Sequence, residues 1–193
     1  MVEERLPPAD LVLRSLPSAP APPDGCLYRI HYTKQDPRYF GTCIGYRFND
    51  PCESYGVCYL AYRQAGAFAE TLLRHRLNDL LPWEDIEMRS LATFQLRRPL
   101  RLVPLYGRHL SGLRANATAT TGRYHLSQAW SRALHDHTEC PHGIAYRAAH
   151  DDDEIAVALF DRANNALGHS VTTPLDRLPR LLMELFGRYR LDG

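Results

Sequence analysis

Residues 44–73 read IGYRFNDPCESYGVCYLAYRQAGAFAETLL, and the fold turns on how this stretch is read. Tyr46 and Phe48 flank Arg47, and their alternation predicts a strand over Ile44–Phe48 with Arg47 facing away from both rings. Asn49-Asp50-Pro51 is a turn signal. Val57–Ala61 is a short apolar run in which Tyr59 shares a side with Val57 and Ala61, as expected for a second strand. A helix is then expected over Ala65–Leu81, stopped by Pro82. Gly66, Leu73, Leu77 and Leu81 fall on one stripe of it, and Glu70 sits within that stripe. A carboxylate on an apolar face needs a reason. A dipole contact near the helix N-terminus, or an ion pair with a buried arginine, is the commoner one; a functional role is the other.

Outward from this stretch, Leu27–Tyr32 alternates as a strand that puts Arg29 opposite Tyr28 and Tyr32. Lys34–Gly41 reads as a loop. Further strands are expected over Met88–Phe94, Leu100–Leu105, Gly143–Arg147, Ile155–Phe160 and His169–Thr173. Leu113–Thr121 reads as an exposed loop. Helices are expected over Tyr124–His137 and Asp176–Tyr189, the last capped by Asp176. Residues 1–25 hold six of the fourteen prolines and read as an extended lead-in, with Leu11, Val12, Leu13 and Leu16 able to dock a short turn. Residues 26–193 then form one domain. Strand-rich, with interspersed helices and no regular βαβ alternation, the chain is of α+β class.

Composition narrows the function. At 193 residues and 45% hydrophobic content the chain can bury a core. With 23 basic against 22 acidic residues it lacks the basic excess of a nucleic-acid binder. Five cysteines without a CxxC pair indicate neither a disulfide framework nor a zinc ribbon, which suits a reducing cytoplasm. The acidic, proline-broken start does not read as a secretory signal, and no apolar run approaches the roughly 20 residues that span a bilayer. His135, His137, Cys140 and His142 crowd together but match no zinc spacing, so no metal is expected. Asp151, Asp152, Asp153 and Glu154 lack calcium-loop spacing and read as a polar turn.

No Rossmann or P-loop fingerprint occurs, so a bound nucleotide needs other phosphate ligands. Arginine forks match diphosphate oxygens. Arg29 and Arg47, each beside aromatics, are the candidates. Tyr59 offers a flat face for a planar ring. Glu70 could steady positive charge at a sugar carbon, as glycosidase carboxylates do. Two forks, a platform and a carboxylate suit cleavage of a nucleotide N-glycosidic bond.

Five ordered blocks extend this reading: LYRI around Arg29, GYRFND around Arg47, GVCYLAY around Tyr59, AFAETLL around Glu70, and GIAYRAAHDDDEIAVALFDR over 143–162. Together they resemble the RES domain family, toxins of bacterial toxin–antitoxin pairs, over roughly Cys26 to Arg162. The resemblance implies an ADP-ribosyltransferase-like split mixed β core with surrounding helices. It implies destruction of NAD+ with release of nicotinamide, by phosphorolysis with inorganic phosphate as co-substrate or by hydrolysis. NAD+ would be a substrate and no cofactor would be needed. A helix-turn-helix antitoxin is the implied partner, a homodimer is compatible, and neither nucleic acid nor membrane is implicated. Position by position, Arg29 and Arg47 would bind the diphosphate and ribose side, Tyr59 would pack on the nicotinamide ring, and Glu70 would hold the ribose and stabilise the cationic sugar. The family's serine is expected in a G-I-x-Y-x-S pattern, which here ends in Ala148, so this chain would lack one hydroxyl toward the substrate. A weakened enzyme, a protein ADP-ribosyltransferase and a catalytically silent NAD- or antitoxin-binding module are the alternatives left open.

Overall fold

The computed structural model describes residues 4–73 and 80–191. Its centre is one mixed seven-stranded sheet. The strands are β1 (Cys26–Tyr32), β2 (Val57–Ala61), β3 (Arg89–Leu96), β4 (Leu102–Pro104), β5 (Gly143–Ala148), β6 (Asp151–Phe160) and β7 (Leu167–Pro174). They lie side by side in the order β4-β5-β6-β2-β1-β3-β7, all antiparallel except β4 and β5. That parallel pair needs a crossover, and residues 105–142 provide it. Long ladders join β2 to β6 and β1 to β3, whereas β1 and β2 align only at Tyr28 and Ala61. The sheet thus consists of two well-laddered halves joined at a thin seam, which agrees with the split core expected from the resemblance.

Both faces of the sheet's central strands are covered, so these strands carry apolar residues at odd and even positions alike. Along β6, Ala156, Ala158 and Phe160 join one buried cluster while Val157 and Leu159 join the other. The first cluster also holds Ile30, Val57, Ala61 and Ile144 of the sheet, packed under three helices: α1 (Gln64–Thr71), α5 (Tyr124–His135) and α6 (Pro179–Tyr189). Short helical turns α2 (Trp83–Glu87), α3 (His109–Gly112) and α4 (Thr118–Thr121) are the other α-helical elements among the described residues. Gly66 lets α1 sit close to the sheet: a Cβ there would lie 3.1 Å from Ala61 Cβ and 3.3 Å from Glu154 Cβ. The lead-in carries one 3-10 turn, Leu11–Leu13, and buries Leu11 and Leu16, while Val12 and Leu13 face outward. Trp130 of α5 donates its indole N–H to the Arg5 carbonyl, and His137 meets the Leu11 carbonyl.

Several sequence-based expectations need correction. Residues 44–48 form a succession of turns rather than a strand. α1 ends at Thr71, so Glu70 lies at its C-terminal end, where the dipole disfavours a carboxylate. Leu81 is buried but lies outside any helix, and residues 74–79, including Leu77, lie outside the described residues. The expected loop at 113–121 contains α4. Asp176 makes no capping bond; it belongs to a 3-10 turn, Leu175–Arg177, and α6 starts at Pro179, whose fixed φ suits a first helical position.

Two histidines tie stability to pH. Burial holds His31 below its ordinary value, and its Nε2 is buried without a partner. Burial also lowers His142, helped by Arg98, Arg162 and Arg101, and its Nδ1 accepts the Arg101 backbone N–H. Both favour the neutral form in the fold, whereas the unfolded chain takes up protons as pH falls through the ordinary histidine value of 6.5. Stability is therefore expected to fall as pH drops below that value. Thermal melts across a pH series check this, and His142→Asn, which can keep an acceptor near Nδ1, is expected to flatten the slope.

Candidate active site

The segment from Gly41 to Gly56 has almost no ladder partners, yet it is held tightly because side chains satisfy its backbone. Only the Gly41–Val57 bridge is sheet-like. Gln128 of α5 donates to the carbonyls of Ile44 and Tyr46 at 2.8 and 3.2 Å. Ser131, one helical turn on, donates to the Phe48 carbonyl at 2.6 Å. Asn49 donates to the Gly41 and Cys43 carbonyls. The Phe48 N–H donates to the Tyr59 hydroxyl at 2.9 Å, which in turn donates to Asn49 Oδ1 at 2.9 Å. At the far end, buried Asp50 accepts from the Ser54 N–H, the Ser54 hydroxyl and Arg132. Burial works to raise the Asp50 carboxyl, but these donors outweigh it and hold its pKa at about 2.

This lacing explains why alternation misled over Ile44–Phe48. Arg47 is not a strand residue facing away from two rings. It is a turn residue whose guanidinium lies 4.9 Å from the Tyr124 ring centre. It donates to the Gly122 carbonyl at 2.9 Å and lies 3.4 Å from the Ser127 hydroxyl. Tyr46 and Tyr59 approach with ring centres 5.9 Å apart. Phe48 is buried against Tyr146 of β5, centres 4.8 Å apart.

Glu70, half-buried, reaches the same neighbourhood from α1. Its two oxygens are held separately: the Tyr146 hydroxyl donates to Oε2 at 2.9 Å and the Ala149 N–H donates to Oε1 at 2.8 Å. Tyr146 thereby links the carboxylate to Phe48, and through Phe48 to Tyr59 and Arg47. Burial raises the Tyr59 phenol, with the charge of Glu70 adding to the shift, so Tyr59 stays a neutral donor.

Arg47, Tyr59 and Glu70 are thus brought into one connected cluster. Arg29 is not. It lies on the opposite face of the sheet with Cys58, whose sulfur is 2.8 Å from Nη1, and it donates to the carbonyls of Pro37 and Tyr39. Its position one residue from Tyr28 dictates this, since successive strand side chains alternate in direction. Ala148 is buried at the end of β5, next to the residue that holds Glu70. The hydroxyl beside Arg47 is that of Ser127, fully buried on α5. Sequence reasoning missed Ser127 and Tyr146. For the first there was a signal: Ser127, Gln128 and Ser131 interrupt the apolar face of α5 at helical spacing.

The crowded histidines serve separate tasks. His135 stacks on Tyr55 at 3.8 Å, and His137 and His142 bond backbone groups. Among the described residues, no three His, Cys, Asp or Glu side chains could hold one metal ion. Nor is any described helix long and apolar enough to cross a membrane.

The Tyr59 hydroxyl is a junction of the lacing. Tyr59→Phe strands the Phe48 N–H and is expected to lower stability by about 1–2 kcal/mol. It should also speed amide exchange over residues 44–50, which exchange mass spectrometry would read.

Comparison with known proteins follows the same outline. The sequence profile of the RES domain matches residues 26–181. No curated protein sequence matches the chain. Among solved structures, the chain is similar to one in the crystal structure of the M. tuberculosis MbcT–MbcA toxin–antitoxin complex. The TM-score is 0.64 at 18% identity, covering 92% of this chain and 97% of that one. The likeness establishes the shared fold.

Proposed function

The chain belongs to the RES domain family, and on that footing we propose that it is a toxin of a toxin–antitoxin pair that degrades NAD+ at the nicotinamide–ribose bond. The observation that carries this reading is the doubly held Glu70 carboxylate, joined through Tyr146 and Phe48 to Tyr59 and Arg47. A carboxylate fixed in orientation by two donors suits stabilisation of positive charge that develops at a sugar carbon. In NAD+ the leaving group is already a pyridinium. As the C1″–N bond breaks, nicotinamide departs neutral with the electron pair, and no acid is needed to protonate it. The ribosyl cation left behind faces Glu70. An oxygen of phosphate or water then bonds to C1″, giving ADP-ribose 1″-phosphate or ADP-ribose, and a water acceptor sheds one proton to solvent.

Arg47 is assigned to the diphosphate and ribose side, Tyr59 to the nicotinamide ring, and Ser127 to support of Arg47. Arg29 is assigned to bracing the loop at 37–39, from which it serves the pocket indirectly. Because Ser127 supplies a hydroxyl at Arg47, Ala148 need not weaken the enzyme. Tyr39, Ile44, Tyr46 and Tyr124 are exposed along or near the segment that carries Arg47. An apolar rim of this kind suits a protein partner, and we assign it to an antitoxin of helix-turn-helix type. The substrate would be the cytoplasmic NAD+ pool.

Purified protein incubated with NAD+, with and without phosphate, tests the reading by chromatography of the products. Nicotinamide with ADP-ribose 1″-phosphate supports phosphorolysis, and nicotinamide with ADP-ribose supports hydrolysis. Label from NAD+ on a macromolecule would support protein ADP-ribosylation instead. Intact NAD+ in both mixtures would overturn the enzyme reading.

A further inference from the structure

Glu70 depends on two elements, α1 that carries it and the β5–β6 turn whose Ala149 N–H holds Oε1. Both are tied to the last turn of α6. The β5–β6 turn ends at Asp151, which accepts from Arg188 Nε at 3.1 Å, Arg188 Nη2 at 2.7 Å and the Tyr189 hydroxyl at 2.8 Å. Tyr189 also stacks on Phe68 of α1, planes 2° apart and centres 5.7 Å apart. Its hydroxyl lies 3.3 Å from the Ala65 carbonyl, at the start of the same helix. Arg188 Nη2 further bonds Glu154 at 3.0 Å. Glu154, almost fully buried, is the side chain against which Gly66 of α1 packs.

Protonation states keep this arrangement locked. Burial works to raise the Asp151 carboxyl, but Tyr189 and Arg188 outweigh it and hold it below its ordinary value. Burial and the neighbouring Asp151 push the Tyr189 phenol up, so it remains a donor. Bonding to Asp151 raises Arg188 further. A charged fork, a charged carboxylate and a neutral phenol therefore coexist across the neutral range.

We propose that Arg188 and Tyr189 are positioning residues for Glu70, acting through Asp151 and Phe68 to set the β5–β6 turn and α1 at a fixed separation. The proposal rests on the reading of Glu70 as the group that faces the ribosyl cation. Neither residue touches the Glu70 oxygens. What they fix is the spacing between the backbone that carries the carboxylate and the backbone that orients it.

Tyr189→Phe removes the hydroxyl and keeps the ring on Phe68. Arg188→Lys keeps a charge for Glu154 and gives up the two-point hold on Asp151. Each is expected to lower kcat for nicotinamide release about tenfold, as a displaced catalytic group does, with KM near wild type. In a Glu70→Gln background the same changes are expected to add nothing, because there is no carboxylate left to place. An unchanged kcat in Tyr189→Phe, or an equal further loss in the Glu70→Gln background, would overturn the proposal. If Arg188→Lys fails to fold, Tyr189→Phe carries the test alone. Should wild-type protein release no nicotinamide, the enzyme reading fails while the clamp can still be examined. The Ala149 amide and Glu70 carboxyl ¹³C resonances should then shift in Tyr189→Phe, and unchanged resonances would overturn it.

Discussion

Glu70→Gln is expected to slow nicotinamide release on the order of 10²–10³-fold, the usual scale for deleting one preorganised electrostatic group from a transition state. Glutamine has the same shape, and the fold can keep both of its contacts. Its carbonyl can accept from the Ala149 N–H, and the Tyr146 hydroxyl can rotate to accept from its NH₂. Stability should therefore change by less than about 1 kcal/mol. What vanishes is the negative charge that the proposed reaction sets opposite the forming ribosyl cation. Product chromatography beside a thermal melt separates the two effects. A variant that turns over like wild type would remove Glu70 from the chemistry, whatever the geometry around it.

Asp50→Ala is expected to be the most damaging change outside the apolar core. Asp50 is fully buried, accepts three bonds and ends the laced segment that carries Arg47 and Phe48. Truncation leaves the Ser54 N–H and hydroxyl without their acceptor and leaves Arg132 with Asp136 and the Ser54 hydroxyl. The loss should approach about 3 kcal/mol, moderated because Arg132 is partly in water. Denaturant melts measure it. Asp50 also dictates an acid limit. Its folded pKa of about 2 lies below the ordinary aspartate value of 3.8, so its contribution is complete above that value and disappears as pH falls toward 2. The Ala variant should lose that part of the acid transition. Since the segment holds Arg47, NAD+ affinity should fall together with stability.

The two predictions concern one loop and one helix end, and these are the places where sequence alone read least well. Strands such as Val57–Ala61 and Gly143–Ala148 were legible because apolar residues must line the faces of a buried sheet. α5 was legible from its spacing, up to its C-terminal turn. Residues 44–48 were not. Their alternation of aromatic and polar residues matches a strand, but the donors that satisfy the backbone, Gln128 and Ser131, lie about 80 residues away in the chain. Local pattern carries no trace of so distant a partner. The same holds for Tyr146, which became part of the cluster only when β5 was set beside β6 and across from α1. Arg29 illustrates the opposite case. Its alternation with Tyr28 already fixed its side of the sheet, and a strict reading would have separated it from Tyr59. Ala148 drew attention as a missing hydroxyl, while Ser127 stood unremarked within an amphipathic helix.

The ladder between β2 and β6 has one more consequence. Val57 pairs with Phe160, so this ladder closes only when about a hundred further residues have been made. The carboxylate at position 70 waits longer still, for a tyrosine at 146, an amide at 149 and a helix that finishes at 189. When residues 41–59 have been made, the ties internal to the segment, from Asn49 and Tyr59, can form, but the outer donors Gln128 and Ser131 of α5 are still to come. The laced segment and the carboxylate at position 70 therefore gain their full set of partners only after residues 128–149 have been added, which ties their completion to the later part of chain elongation.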